Sequence, residues 1–148
     1  AGRMTVQKIG DYKLHVAAAK SYLETAPDIK TIADLKDHPI VGYIPDMIFD
    51  KELDYLNEMG VERVPMASNS VSVQLNLLRQ GGGVGVAHDF AMPLIGGLQK
   101  VLADQVSLKR SFYLVRHTSD KRVERLNRFA KLLSTQMRAE IIRLEALV

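Results

Sequence analysis

Apolar residues recur along the chain with two different periods, one typical of β-strands and the other of helices. Residues 6–9 and 13–17 alternate or cluster apolar side chains around Gly10-Asp11, which predicts two short strands or one bent strand. Short apolar runs of the buried type predict further strands. These strands are expected at residues 39–44, 61–66, 84–87, 98–102 and 111–115.

Helices are predicted between the strands, where apolar positions recur at helical spacing. Residues 18–25 are expected to form the first helix, which Pro27 ends. Thr31-Ile32-Ala33-Asp34 resembles a capping box and predicts a short helix to Lys36. The next helix is expected to end at Gly60. Its apolar positions are Phe49, Leu53, Leu56 and Met59.

Polar residues also mark the starts of two later helices. Ser68-Asn69-Ser70 supplies N-cap chemistry for a helix that carries Val71, Leu75 and Leu78 and that ends at Gly81-Gly82-Gly83. Asp89 is expected to cap a short helix that begins at Phe90.

A long helix is predicted from Asp120 to the C-terminus. Its apolar stripe is close to heptad spacing, so a coiled coil is one interpretation, but Phe129, Leu132 and Ile142 widen the apolar face and favour a core-packing helix. The stripe comprises Val123, Leu126, Ala130, Leu133, Met137, Ile141 and Leu144. The alternation of strands and helices predicts an α/β fold with mostly parallel sheets that are covered on both faces.

Composition fits one folded domain or part of a larger one. The 148 residues are 47% hydrophobic and 25% charged, which is close to the globular average. No cysteine is present, so no disulfide framework is available. The sequence shows no signal peptide and no apolar stretch of membrane-spanning length, which predicts a cytoplasmic chain without a membrane partner.

The net charge of +3 comes largely from one basic region near the C-terminus. A solvated helix face is the simpler interpretation, because the region lacks the interleaved aromatic residues that would stack on nucleic-acid bases. The basic residues are Lys109, Arg110, Arg116, Lys121, Arg122, Arg125, Arg128 and Lys131.

The sequence offers no clear catalytic or metal-binding pattern, so neither enzyme activity nor a metal or other cofactor is predicted. The four histidines are scattered, and the serines lie outside any nucleophile elbow. Gly81-Gly82-Gly83-Val84-Gly85 closes a helix before a strand, whereas a phosphate-binding loop opens a helix after one. Carboxylates between Asp46 and Glu58 are typical of solvated surface.

Ser68-Asn69-Ser70 is the most informative local signal. Ligands of open parallel sheets bind beyond the carboxyl ends of the strands, and a helix that starts there offers free N–H groups to an anion. The alternative interpretation is a plain N-cap.

Several segments, taken in order, resemble the effector-binding domain of LysR-type transcriptional regulators. The similarity covers essentially the whole chain and continues through Tyr113-Leu114-Val115-Arg116 to the terminal helix. The earlier segments that carry it are Gly10-Asp11-Tyr12-Lys13-Leu14, Ser21-Tyr22-Leu23, Pro27, Asp34-Leu35, His38-Pro39-Ile40 and residues 81–87.

The resemblance implies a periplasmic-binding-protein-like fold (type 2), in which two lobes are joined by crossover strands and enclose an effector cleft. Residues 1–17 would be a remnant of lobe I with the first crossover strand. Residues 18–108 would be lobe II, and residues 109–148 the second crossover strand with the terminal helix of lobe I. The family's winged helix-turn-helix and the first part of lobe I have no counterpart in this sequence.

The same resemblance implies that effector contacts come from the loop after the His-Pro strand and from the polar helix start. The implied residues are Pro45, Met47, Ile48, Phe49, Ser68, Asn69 and Ser70. The expected function is to sense a small organic anion, with self-association as a homodimer or tetramer and DNA contacts only through the absent N-terminal domain. A transporter's solute-binding protein, an enzyme on the same lobes and a pure interaction module are the alternatives.

Overall fold

One long strand organises the sheet. In the computed structural model, which describes residues 2–148, β1 spans Met4–Ala19 and pairs with three other strands. The remaining strands are β2 (Ile40–Gly42), β3 (Met66–Ala67), β4 (Val84–His88), β5 (Leu98–Lys100) and β6 (Leu108–His117). The sheet order is β3-β2-β4-β1-β5, and β6 pairs with β1 outside that path.

The two halves of β1 have different neighbours. Met4 to Leu14 pair with β6, whereas Leu14 to Ala18 pair with β4, and Ala17 to Ala19 also pair with β5. The register with β6 shifts between Lys8 and Gly10, which is a β-bulge. The prediction of one bent strand is therefore confirmed over that of two short strands.

Helices and 3-10 turns cover the sheet. The α-helices are α1 (Lys20–Leu23), α2 (Tyr55–Glu58), α3 (Val71–Arg79), α4 (Met92–Ile95) and α5 (Glu124–Glu145). The 3-10 turns are Ile32–Asp37, Pro45–Met47, Lys51–Leu53, Asp89–Ala91 and Thr118–Arg122. The predicted capping box is confirmed, since Thr31 and Asp34 exchange the expected hydrogen bonds at the first of these turns.

Apolar side chains from both faces of β1 build the core. Val16 and Ala18 pack with Leu35, Ile40 and Val84 on one face. On the other face Ala17 packs with side chains of α3, α4 and the neighbouring strands, such as Leu78, Val41 and Met92. The alternation of side chains along an extended strand accounts for this division.

The α/β class is confirmed, while the strand directions are mixed. Parallel pairing holds for β2 with β3 and for β2 with β4. All three partners of β1 are antiparallel to it, contrary to the expectation of mostly parallel pairing. β1 lies inside the sheet, between β4 on one side and β5 and β6 on the other.

The helix predicted over residues 49–59 is wrong. The chain forms the turn Lys51–Leu53 and then the four-residue helix α2. Asp50 caps the turn by accepting a hydrogen bond from the backbone of Glu52, and Asp54 adopts φ −91° and ψ 36°, outside the helical region. The two aspartates therefore break the helix that the apolar spacing predicts.

Two predicted strands are shorter than expected, and one predicted cap is wrong. The strand at 61–66 is reduced to Met66–Ala67, because Pro65 lacks an N–H for the sheet and β2 is itself short. The strand at 98–102 ends at Lys100. Asp89 makes no cap bond at the turn Asp89–Ala91, because its carboxylate binds His15 and Lys100 instead.

The C-terminal helix packs on β1 along one face only. Ala130, Ser134, Ile141 and Leu144 are buried, as expected for a core-packing helix. The side chains that were expected to widen this face point outward, and Phe129 and Ile142 remain 62% and 66% exposed. α5 begins at Glu124, after the turn Thr118–Arg122, and not at Asp120.

Candidate functional site

The carboxyl ends of three strands meet at one edge of the sheet. Because β3, β2 and β4 run parallel, the segments that follow them start at the same edge. These segments begin at Ser68, Tyr43 and Asp89 respectively. The loop of residues 43–50 and the start of α3 thus become neighbours, as the sequence analysis expected, and we call this place the carboxyl edge.

The start of α3 presents unpaired donors at the carboxyl edge. Ser70 caps the helix by accepting a hydrogen bond from the N–H of Val73 at 3.4 Å, and the Ser68 hydroxyl accepts one from the N–H of Ser70 at 3.1 Å. The N–H groups of Val71 and Ser72 have no partner within residues 2–148. Free N–H groups at the positive end of a helix dipole attract an anion.

A side-chain contact joins the two segments that were predicted to bind the effector. The amide Nδ2 of Asn69 lies 3.4 Å from Sδ of Met47, which belongs to the turn Pro45–Met47. Gln74 fixes the residues before α3, because its Nε2 donates a hydrogen bond to the carbonyl oxygen of Ser68 at 2.7 Å. The polar helix start and the 43–50 loop therefore form one continuous surface.

The remaining predicted residues of the loop differ in exposure. Pro45 and Ile48 line a cavity of about 210 Å³ together with Tyr43. This volume is below the roughly 300–1,000 Å³ of typical small-ligand sites. Phe49 is 94% exposed and does not line this cavity.

An aromatic cluster, which sequence reasoning missed, forms the third side of the carboxyl edge. The Tyr12 ring stacks on Phe112 at 4.3 Å and on His88 at 5.5 Å between centroids. Phe90 meets the Tyr12 ring edge-on at 5.7 Å. The cluster brings the first half of β1, the end of β4 and β6 together beside the 43–50 loop.

Burial controls protonation in this cluster. Desolvation raises the pKa of Tyr12, and the nearby Tyr43 raises it further. Desolvation also lowers the pKa of His88, against a smaller opposite effect of Asp89. Tyr12 therefore keeps its proton at neutral pH and His88 tends to stay uncharged, so both rings offer hydrogen bonds without a formal charge.

A buried ion-pair network fixes the end of β4 behind the cluster. The Asp89 side chain is 3% exposed; its Oδ1 lies 2.6 Å from His15 Nδ1, and its Oδ2 lies 3.0 Å from Lys100 Nζ. The network ties β1, β5 and the residue after β4 together. It holds the neighbouring His88 and Phe90 in place at the carboxyl edge.

Register explains why the aromatic cluster was missed. Tyr12 stood within one of the segments that carry the family resemblance, but its partners His88 and Phe112 lie far away along the chain. They come together through the pairings Leu14↔His88 and Gly10↔Phe112. The cluster could have been predicted from a correct assignment of the two strands, β4 and β6, that flank this part of β1.

The chain matches the family model of the LysR substrate binding domain over residues 2–138. None of the proteins with curated functions matches it in sequence. No helix within residues 2–148 has the length and apolar character needed to cross a membrane.

Solved structures of LysR-type regulators share the fold at low identity. The regulatory domain of CrgA from Neisseria meningitidis superposes with a TM-score of 0.71 at 20% identity, over 90% of this chain and 68% of that one. Full-length AphB from Vibrio cholerae gives 0.70 at 18%, over 90% and 48%. A C206 mutant of Corynebacterium glutamicum OxyR gives 0.66 at 18%, over 99% and 48%. The chain thus spans about half the length of these two longer proteins.

Proposed function

The chain belongs to the LysR substrate binding domain family, and we propose that it senses a small organic anion at the carboxyl edge. The observation that carries this proposal is the pair of unpaired N–H groups, Val71 and Ser72, at the start of α3. A carboxylate placed there would accept both N–H groups and would meet the Asn69 amide.

The rest of the ligand would lie against the other two sides of the edge. Ile48 and Phe49 would supply apolar contacts from the loop, and the Tyr12 cluster would supply a stacking wall. Protein ligand sites combine such apolar walls with a few polar groups that fix orientation. The proposed contacts to the ligand also include the other residues predicted from the sequence, Pro45, Met47, Ser68 and Ser70.

The proposed division into lobes follows the change of partners along β1. Residues 1–17 and 109–148 would belong to lobe I and the crossover strands, and residues 18–108 would form lobe II. Supporting this division, the first half of β1 pairs with β6, whereas its second half joins the sheet of β4 and β5. Ala1, the first residue of the proposed remnant, lies outside the described residues.

In a complete regulator, an anion held between the lobes would change their relative orientation. That change would alter the geometry of an oligomer and, through it, the promoter contacts of a winged helix-turn-helix elsewhere in the protein. We propose the cytoplasm as its location, because the DNA that such a regulator would contact lies there.

Self-association is part of the same proposal. One face of the β1–β6 ribbon carries four apolar side chains that are each more than half exposed, Met4, Val6, Tyr113 and Val115. Lys8 and His117 flank them on the same face. An apolar face of this kind is typical of a surface that another protein surface covers. We assign a second copy of the chain as the partner, in a homodimer or tetramer.

Titration calorimetry with small carboxylates tests the anion site. Benzoate, salicylate, 2-oxoglutarate and succinate serve as probes, and at least one is expected to bind. Ser68→Ala and Phe49→Ala should each weaken that binding. Ser21→Ala, an exposed substitution on α1 at the opposite end of the sheet, should not. Unaltered affinity in both edge variants would refute the site.

A further inference from the structure

A second, larger cleft lies at the opposite end of β2 from the carboxyl edge. It opens between the turn Ile32–Asp37 and the loop of residues 59–65 and has a volume of about 700 Å³. This volume is within the range of small-molecule sites, about 300–1,000 Å³. His38 and Pro39, which precede β2, line this cleft, whereas the carboxyl edge follows β2. We call it the His38 cleft.

The walls of the His38 cleft are largely apolar, and its charged side chains carry a net positive charge. Leu35, Ile40, Met59 and Val61 are among the apolar lining residues. The charged lining residues are Lys36, Arg63 and Glu62, two cations and one carboxylate. Neither cation forms an ion pair within residues 2–148. An apolar ligand with an anionic end complements such a cleft better than a neutral or cationic one.

A buried polar atom without a partner also belongs to this cleft. His38 is only 6% exposed, and its Nε2 has no hydrogen-bond partner within residues 2–148. Its Nδ1 lies 2.7 Å from the hydroxyl of Tyr22. Buried polar atoms are nearly always hydrogen-bonded. Nε2 is closed to solvent in this structure, so a ligand atom would complete it once the side chains around the ring shift.

The Tyr22 contact indicates which hydrogen bond Nε2 would make. Burial raises the pKa of Tyr22, so the phenol keeps its proton and can donate it to Nδ1. When the phenol donates in this way, the neutral tautomer of the ring carries its hydrogen on Nε2. In that tautomer Nε2 is a donor, and an acceptor such as a carboxylate oxygen would complete it.

We propose that the His38 cleft is a second ligand site, which takes an amphipathic organic anion with an extended apolar body. The apolar body would pack on Leu35, Met59 and Val61, and the anionic group would meet Arg63, Lys36 and the His38 ring. Val61 and Glu62 also line the small cavity beneath Pro45 and Ile48. An occupant of the cleft would therefore contact the segment that supports the carboxyl edge.

Octanoate is the probe for this site, and 1-octanol is its neutral counterpart of equal chain length. In two-dimensional amide NMR of the 148-residue chain, octanoate should shift resonances of residues 32–38 and 59–63, and 1-octanol should bind more weakly. Equal affinity of the two probes would overturn the assignment of an anion. Absence of shifts in both segments would overturn the site.

Substitutions of the two exposed cations test the charge without disturbing the core. Lys36→Met combined with Arg63→Met should weaken octanoate binding about tenfold, since each exposed ion pair contributes up to about 1 kcal/mol. Lys121→Met, a change of the same kind on a distant exposed turn, is the matched control and should leave affinity unaltered. An equal loss in the control, or no loss in the double variant, would contradict the proposal.

The His38 ring itself provides a direct readout. Octanoate should change the ¹⁵N chemical shift of Nε2, and His38→Phe should reduce affinity while a thermal melt reports whether the variant folds. An unchanged Nε2 resonance at saturating octanoate would remove the ring from the site. Octanoate shifts confined to residues 45–49 and 68–72 would refute the His38 cleft and leave the proposed function at the carboxyl edge supported.

Discussion

The Asp89 network offers the sharpest test of how the carboxyl edge is positioned. In Asp89→Ala, both carboxylate oxygens are removed, so His15 and Lys100 each lose their partner. Lys100 is 24% exposed and can turn to water, whereas the His15 side chain is 8% exposed and cannot. The unpaired imidazole group therefore accounts for most of the expected loss of stability.

The magnitude follows from the burial of these partners. A buried group left without its hydrogen bond costs about 1–3 kcal/mol, and breaking a buried ion pair costs about 3–5 kcal/mol. Because Lys100 retains access to water, we expect Asp89→Ala to lower the free energy of unfolding by about 3 kcal/mol. For a domain of this size the melting temperature should fall by about 6–12 °C.

Urea unfolding followed by circular dichroism measures this change. Asp104→Ala is the matched control, because Asp104 is exposed and forms no ion pair within residues 2–148. A loss below about 0.5 kcal/mol, the usual limit for surface substitutions, would refute the reasoning. So would a loss equal to that of the control.

Three further results are expected. Gly85→Ala should lower the free energy of unfolding by about 2 kcal/mol, because the added Cβ would lie 2.5 Å from the carbonyl oxygen of Val41. An unchanged urea midpoint would contradict the close approach of the two strands. The hydrogen bond with Lys8 holds the pKa of Asp11 below its usual range, so the ionised carboxylate stabilises the folded chain above about pH 4. This stabilisation is lost as the pH falls further. Asp11→Asn should therefore flatten the dependence of the free energy of unfolding on pH between pH 5 and 2. Val115→Lys should reduce self-association in light scattering, and an unchanged mass of the oligomer would exclude this face from the interface.

Local chemistry was predictable wherever one short segment determines it. The capping box at Thr31, the Ser70 cap and the end of α3 all follow from neighbouring residues. The apolar pattern of β1 was also sufficient to predict its two halves. In each case the decisive hydrogen bonds or packing contacts join residues close together in sequence or on one strand.

The errors came from competition between local signals and from long-range pairing. Apolar spacing favoured a helix through Leu53 and Leu56, but the side chain of Asp50 and the backbone of Asp54 interrupt it. The exposed Phe129 and Ile142 had the same pattern as buried helix positions. Periodicity alone does not show which apolar face of a helix meets the sheet.

Part of the candidate site was predictable from local sequence, and part of it depends on long-range strand pairing. The polar helix start and the loop after β2 were predicted from the resemblance and the strand order, and the Asn69–Met47 contact joins them. The Tyr12 cluster was not predicted, because β1, β4 and β6 contribute to it through pairings that no local pattern reveals.

The most direct test of the central claim follows the amide resonances of Val71 and Ser72 while small carboxylates are titrated into the ¹⁵N-labelled chain. An anion held at the start of α3 should move both amide proton resonances downfield with a common, saturable dependence on its concentration. The amide resonances of residues 46–49 should shift with the same dependence. Carboxylates that bind the chain while these two amide resonances stay unmoved would contradict the account.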